Sequence, residues 1–315
     1  MEPVPRPLTG LIPATVTPMR DDGSVHLEVV DALVEHYARD GADGLFVCGT
    51  TGESVSLSAD ERMRLAERWC AAARATGSGR MPVGVNVTHT SLPECKALAA
   101  HAARAGAAAF AAMAPFYFKP RGVEELVAFG AEVAAAAPGL PFYYYHYPGM
   151  TGVTVPVADV LDRAAGRIPN LAGFKNSSDN LIDVGNAMAV GDGDGNRFTP
   201  LFGSEAMMLG ALALGVRDFI GGSFNFALPT YRRVHEAFDR GDLPAARAAQ
   251  ALGRGWVNPC RRHDFPAAVK AVMKMIGLDC GPARLPMRNL SDAETASLRA
   301  ALERSGFFES RRQTT

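Results

Sequence analysis

One lysine interrupts an apolar strand, and its chemistry sets the problem. The chain holds five lysines, Lys96, Lys119, Lys175, Lys270 and Lys274, against 27 arginines. Lys96, Lys270 and Lys274 fall in helical patterns and Lys119 in a proline-flanked loop, whereas Lys175 lies within the run LAGFKNS (171–177). Alternation along a strand puts Lys175 on one face with Leu171, Gly173 and Ser177, and Gly173 leaves space beside it. Taking an ammonium out of water lowers its pKa, and a neutral amine attacks a carbonyl to form a Schiff base. The competing reading is a buried ion pair with a carboxylate, Glu205 being the candidate. The residues alone leave both open.

Tyr145, near the end of PFYYYHY (141–147), offers a phenol that can pass a proton to or from a reacting hydroxyl. Its alternative role is packing, since Tyr143 and Tyr147 share its parity. Thr50 and Thr51, set between Gly49 and Gly52, present hydroxyls and backbone N–H groups to a carboxylate, or form an ordinary turn.

Other chemistries lack their residues. The seven histidines show neither HxH nor HExxH spacing, so no metal site is expected. Asp192-Gly-Asp194-Gly-Asn196 imitates a calcium loop, but Arg197 stands where glycine is needed and Gly203 where glutamate is, so it reads as a polar turn. There is no GK[ST] phosphate loop, and Gly221-Gly222 has only Arg217 nearby for a phosphate.

The elements that must position these residues form a regular series. Eight apolar runs, LIPATVTP (11–18), GLFVCG (44–49), PVGVNVT (82–88), AAFAAMAP (108–115), PFYYYHY (141–147), LAGFKNS (171–177), FTPLFG (198–203) and DFIGGS (218–223), alternate with helical patterns such as Leu27–Ala38 and Leu126–Ala137. Capping boxes are expected at Ser58 with Glu61 and at Ser91 with Glu94, and Pro156 and Pro229 are placed in first turns of helices. Strands apolar on both faces, separated by helix-length crossovers, imply a parallel sheet covered by helices. Eight units, with no GxGxxG after the first, favour an α/β (β/α)8 TIM barrel over an open doubly wound sheet. Residues 1–240 are assigned to the barrel, completed by Thr230–Arg240. Residues 241–315 form a C-terminal helical extension built from Leu243–Leu252, Phe265–Ile276 and Ala293–Glu303, with a frayed tail SRRQTT. Catalytic groups in a barrel sit at the C-terminal ends of its strands, where Thr50, Thr51, Tyr145 and Lys175 lie.

The chain has 315 residues, 48% of them hydrophobic and 21% charged, with a net charge of -1, which suits a folded globular protein with a small-molecule partner. It carries no charge footprint for nucleic acid and no apolar run long enough for a membrane span. Five cysteines without a CxxC pair, and an N-terminus without an apolar signal core, point to a cytoplasmic protein with free thiols. The glycosylation patterns at Asn86, Asn176 and Asn289 are then chance matches.

GTTGES (49–54), PFYFKP (115–120), YYYHYPGMTGV (143–153) and GFKNSSD (173–179) stand in an order and spacing that resembles the pyruvate-dependent class I aldolase family containing dihydrodipicolinate synthase and N-acetylneuraminate lyase. The resemblance runs from about Leu11 to Leu290, and FYYYHYPGMTGV with LPMRNLS (285–291) is most like the animal-type lyases. It implies a Schiff-base lyase cleaving a 2-oxo acid to pyruvate and an aldehyde without any cofactor. Lys175 would form the imine and Tyr145 shuttle the proton. Thr50 and Thr51 would hold the pyruvate carboxylate, and Ser177 would supply a nearby hydroxyl. Tyr117 would reach into a neighbouring subunit's site, implying a homotetramer or dimer of dimers. At the substrate end the resemblance places Gly203, Glu205 and Gly222. Met150 replaces the arginine of the synthase branch, which argues against aspartate semialdehyde. Ala206 and Gly222 replace an acid and a serine of the lyase branch, which opens the site to a less hydroxylated or aromatic aldehyde. Alternatives on the same scaffold are a dihydrodipicolinate synthase-type condensation and a hydratase-aldolase or dehydratase. A sensor that merely binds 2-oxo acids is the non-enzymatic one.

Overall fold

The computed structural model describes residues 4–76, 81–191 and 198–312, so the Asp192–Asn196 turn lies outside the described residues. Among the described residues, strands and helices alternate: β1 (Leu11–Pro13), α1 (Val30–Arg39), β2 (Leu45–Val47), α2 (Ala59–Ala75), β3 (Val83–Asn86), α3 (Leu92–Ala105), β4 (Ala109–Met113) and α4 (Val123–Ala135). The series continues with β5 (Phe142–His146), α5 (Val157–Ala164), β6 (Leu171–Asn176), α6 (Leu181–Met188), β7 (Thr199–Phe202), α7 (Met208–Ala213), β8 (Asp218–Gly221) and α8 (Phe224–Asp239). Every ladder is parallel and neighbours follow chain order, with β1 beside β8. A parallel bridge between Ala14 and Phe46 joins β1 to β2, where the Thr15 N–H donates to the Phe46 carbonyl at 3.0 Å. The fold is the expected (β/α)8 TIM barrel. Four further helices follow it: α9 (Leu243–Cys260), α10 (Phe265–Met275), α11 (Asp292–Arg304) and α12 (Phe307–Arg312).

Strand alternation sorts the apolar side chains into two layers. Leu45, Val47, Val83, Val85, Phe110, Phe142 and Phe174 pack outward against the helices. Ile12, Phe46, Ala109, Ala111, Met113, Tyr143, Tyr145, Leu201 and Ile220 fill the cylinder, with Leu8 just before β1. Ala111 stands opposite Tyr143 in the ladder, a small residue beside a large one, which lets a narrow barrel close-pack.

Local departures from the sequence reading have identifiable causes. The β5–β6 register shifts between Phe142 and Tyr143, so one extra residue of β6 is accommodated. Leu171 therefore packs outward with the helices, not on the Lys175 face, and Ala172 joins the interior. Gly173 serves its neighbouring strand: a Cβ there would collide with the Thr199 backbone, so β7 approaches closely only because of it. Ser58 and Glu61 form their capping box, but Ser91 makes no side-chain cap, and its N–H donates to His89 Nδ1 at 2.9 Å. Pro156 is the residue before α5, while Pro229 lies inside α8. The Asn225 carbonyl, four residues before Pro229, is satisfied by His36 Nε2 at 2.8 Å, so the missing proline N–H orphans nothing. The tail is ordered further than expected, since Ser310–Arg312 belong to α12 and Arg311 pairs with the buried Asp40. All five cysteines are buried and free. Asn86 and Asn176 are buried in the barrel. No described helix is long and apolar enough to cross a membrane.

Candidate active site

The register of β5 against β6 brings the two leading residues together, because Tyr145 and Lys175 are direct partners in that ladder. Both lie near the C-terminal ends of their strands with inward side chains. Lys175 is 3% exposed, and its Nζ sits 3.7 Å from the centroid of the Tyr145 ring and 4.9 Å from that of Phe46. Aromatic faces attract a cation, but they do not neutralise it. No carboxylate pairs with Lys175 among the described residues. Glu205, the expected alternative partner, is buried elsewhere and accepts the Ser223 N–H at 2.9 Å. Its backbone carbonyl accepts from Gln250 of α9 at 3.2 Å.

Tyr145 is fully enclosed, and two influences on it oppose one another. Burial alone would raise the pKa of its phenol, but the Lys175 charge, with hydrogen bonds from Lys175, Thr50 and Ser177, outweighs burial and lowers it. Thr50 Oγ1 lies 3.3 Å from the phenol oxygen. Tyr147 stacks on Tyr145 with centroids 6.2 Å apart, yet its own pKa is pushed up to about 12, by burial first and then by Tyr145 and Glu205. Two stacked tyrosines thus differ in acidity, and proximity to Lys175 accounts for the lowered value of Tyr145.

The Gly49–Gly52 loop after β2 is flanked by two non-glycine residues in left-handed conformation, Cys48 (φ 54°) and Glu53 (φ 60°). Three of its carbonyls are occupied: Gly49 accepts from Ser54 N–H, Thr50 from Glu53 N–H, and Gly52 from Thr17 Oγ1 at 2.7 Å. Thr51 is buried, and its Oγ1 is 2.9 Å from where a Cβ on Gly222 would lie. That same Cβ would stand 2.7 Å from the ring of Phe265, which opens α10. A Cβ on Gly203 would collide with the Ser177 hydroxyl.

Lys175, Tyr145, Thr50 and Ser177 therefore converge, and Thr51 sits next to Gly222. Tyr117 stands apart: it lies in the loop after β4, 76% exposed, edge-on to the exposed Phe118. Sequence reasoning overlooked three neighbours of the site. Phe46 was legible from its inward parity in GLFVCG. Phe265 and Lys270 come from the C-terminal helices, and only their partners in the fold reveal them.

A (β/α)8 barrel whose strand ends set a buried, ion-pair-free lysine against a tyrosine has the construction of a carbon–carbon lyase, the pyruvate-dependent class I aldolase. The chain belongs to the dihydrodipicolinate synthetase family, whose model matches residues 7–305. It is 38% identical over 300 residues to the N-acetylneuraminate lyase of Gallus gallus, covering 94% of this chain and 96% of that one. Identity to the N-acetylneuraminate lyase of Rattus norvegicus is 36% over 305 residues, with 96% and 93% covered. Among solved structures, the N-acetylneuraminate lyase (sialic acid aldolase) of Aliivibrio salmonicida superposes with a TM-score of 0.90 at 33% identity, covering 96% of this chain and 98% of that chain.

Proposed function

We propose that this aldolase cleaves N-acetylneuraminate, or a close 4-hydroxy-2-oxo acid, reversibly to pyruvate and an aldehyde through an imine on Lys175. The observation that carries the reading is Lys175 itself, buried without a carboxylate and directly paired in the ladder with Tyr145. Similarity to lyases of that name along nearly the whole chain supports the choice of substrate. Tyr145, whose phenol has a lowered pKa beside Nζ, can as its phenolate take the proton that the amine must lose before it attacks C2 of the open-chain acid. Tyr145 returns that proton to the carbinolamine hydroxyl, which leaves as water, so a protonated imine forms and the phenolate is restored. Tyr145 then removes the C4 hydroxyl proton, the C3–C4 bond breaks, and its electron pair passes to C3 and the imine as an enamine. The aldehyde departs, Tyr145 gives the proton it holds to C3, and water hydrolyses the imine to release pyruvate and restore Lys175. Thr50 and Thr51 bind the carboxylate, Ser177 supports Tyr145, and Gly203, Glu205 and Gly222 border the aldehyde end. No metal or organic cofactor enters this chemistry.

The Phe265 ring beside Gly222 favours a second specificity, for a less hydroxylated aldehyde. Pyruvate release from N-acetylneuraminate, compared with a panel of 4-hydroxy-2-oxo acids, decides between them. Cleavage of N-acetylneuraminate at the highest kcat/KM supports the first reading, and faster turnover of an aryl or alkyl substrate replaces it with the second. Exposed Tyr117 and Phe118 support a homotetramer in which Tyr117 completes a neighbour's site. Five free buried thiols fit a cytoplasmic location.

A further inference from the structure

The C-terminal helices place a charge pair against the back of the threonine loop. Glu53, the last residue of Gly49–Glu53, is buried in left-handed backbone. Its Oε1 lies 2.5 Å from Nζ of Lys270 on α10, and its Oε2 accepts the Arg284 N–H at 2.8 Å. Lys270 also donates to the Pro282 carbonyl at 2.7 Å. Among the described residues, the partners of the Glu53 carboxylate thus come from the segment after the barrel. The backbone links this carboxylate to the reacting groups, because the Glu53 N–H donates to the Thr50 carbonyl at 3.0 Å, and Thr50 Oγ1 lies 3.3 Å from the Tyr145 oxygen. A buried ion pair is a poor means of adding stability, since apolar residues of similar volume usually serve as well. What two opposed charges supply is a defined position for a loop whose backbone is otherwise disfavoured.

We propose that the Glu53–Lys270 pair is a positioning device through which the C-terminal helices hold Thr50 against Tyr145. The inference rests on the aldolase reading, in which Tyr145 moves the proton. Lys270 faces Glu53, Cys280 and Arg284, and Tyr145 faces Lys175 and Tyr147, so loss of the pair reaches Tyr145 only through the loop.

The test uses the full chain and the Glu53→Gln/Lys270→Met double variant, which removes both charges at similar volume. Its kcat should fall about tenfold or more, as expected when a reacting group is displaced. The acid-side limb of its kcat–pH profile, set by ionisation of Tyr145 as the base, should move to higher pH, as in Thr50→Val, because Tyr145 loses the same pKa-lowering hydrogen bond. Adding Thr50→Val to the double variant should cost nothing further, because both changes break one interaction. A double variant within about twofold of the parent kcat, or losses that multiply in the triple variant, would reduce the pair to a structural one. If the double variant does not fold, Glu53→Gln alone is read by the same criteria. Borohydride trapping with pyruvate separates the two levels. No adduct in the unaltered protein removes the aldolase reading and the positioning role together. A normal adduct with unaffected variants removes the positioning role alone.

Discussion

Lys175 and Lys270 are each 3% exposed, yet they sit in opposite electrostatic settings. Lys270 has a carboxylate at 2.5 Å and a carbonyl at 2.7 Å. Burial pulls its ammonium down in pKa, with Glu53 opposing that shift. Lys175 has aromatic faces and neighbouring hydroxyls where the other has an anion. Burial by itself therefore says little about reactivity. A buried lysine locked to a carboxylate is held from attacking a carbonyl, whereas one beside a phenol that can exchange its proton is equipped for nucleophilic chemistry.

Substitution at the two sites should separate them sharply. Lys175→Met is expected to reduce pyruvate release to background while leaving the melting temperature unchanged or raised, since it removes a buried charge without an anionic partner. Retained turnover, or a large drop in melting temperature, would erase the contrast. Tyr145→Phe is the next largest effect, with kcat about 10²–10⁴-fold lower, as for loss of a general acid–base group. Single-turnover trapping should show imine formation slowed much less. Equal losses in both steps would make the phenol structural.

Lys270→Met should add a loss of stability to the fall in kcat expected when the pair is broken. It strands the Glu53 carboxylate and should cost about 3–5 kcal/mol in urea unfolding, most of it recovered by adding Glu53→Gln. A shift below about 1 kcal/mol would mean that the pair is solvated and the comparison misplaced. The smallest effect concerns Arg284, which binds Glu61 through both carboxylate oxygens. Hydrogen bonds from Arg284 lower the Glu61 pKa to about 2 from the ordinary 4.5. Because the folded-state value is depressed, this stabilisation is present above about pH 4.5 and is lost as pH falls through about 2. Glu61→Gln should flatten the acid limb of the stability–pH curve in that window, as measured by thermal unfolding. An unchanged limb would show that the contact adds nothing in solution.

The sequence reading recovered the barrel because it follows from periodicity and strand alternation, and it set Tyr145 and Lys175 on successive strands, where the ladder makes them direct partners. It failed where geometry depends on backbone contact between distant segments. The β6 bulge moved Leu171 to the outer face, which a strict period of two cannot anticipate. Gly173 was credited to Lys175, but it is needed by β7. Lys270 looked like one helical lysine among several, and Glu53 like one letter of a loop motif. Their partnership spans more than two hundred residues and leaves no local trace. Phe265 was hidden for the same reason.

The most direct measurement is borohydride reduction of the protein with pyruvate, followed by peptide mass mapping. A single pyruvate-derived adduct on Lys175, and none on Lys270, is required if an imine forms at the ion-pair-free amine. An adduct on another lysine, or none at all, would contradict the assignment.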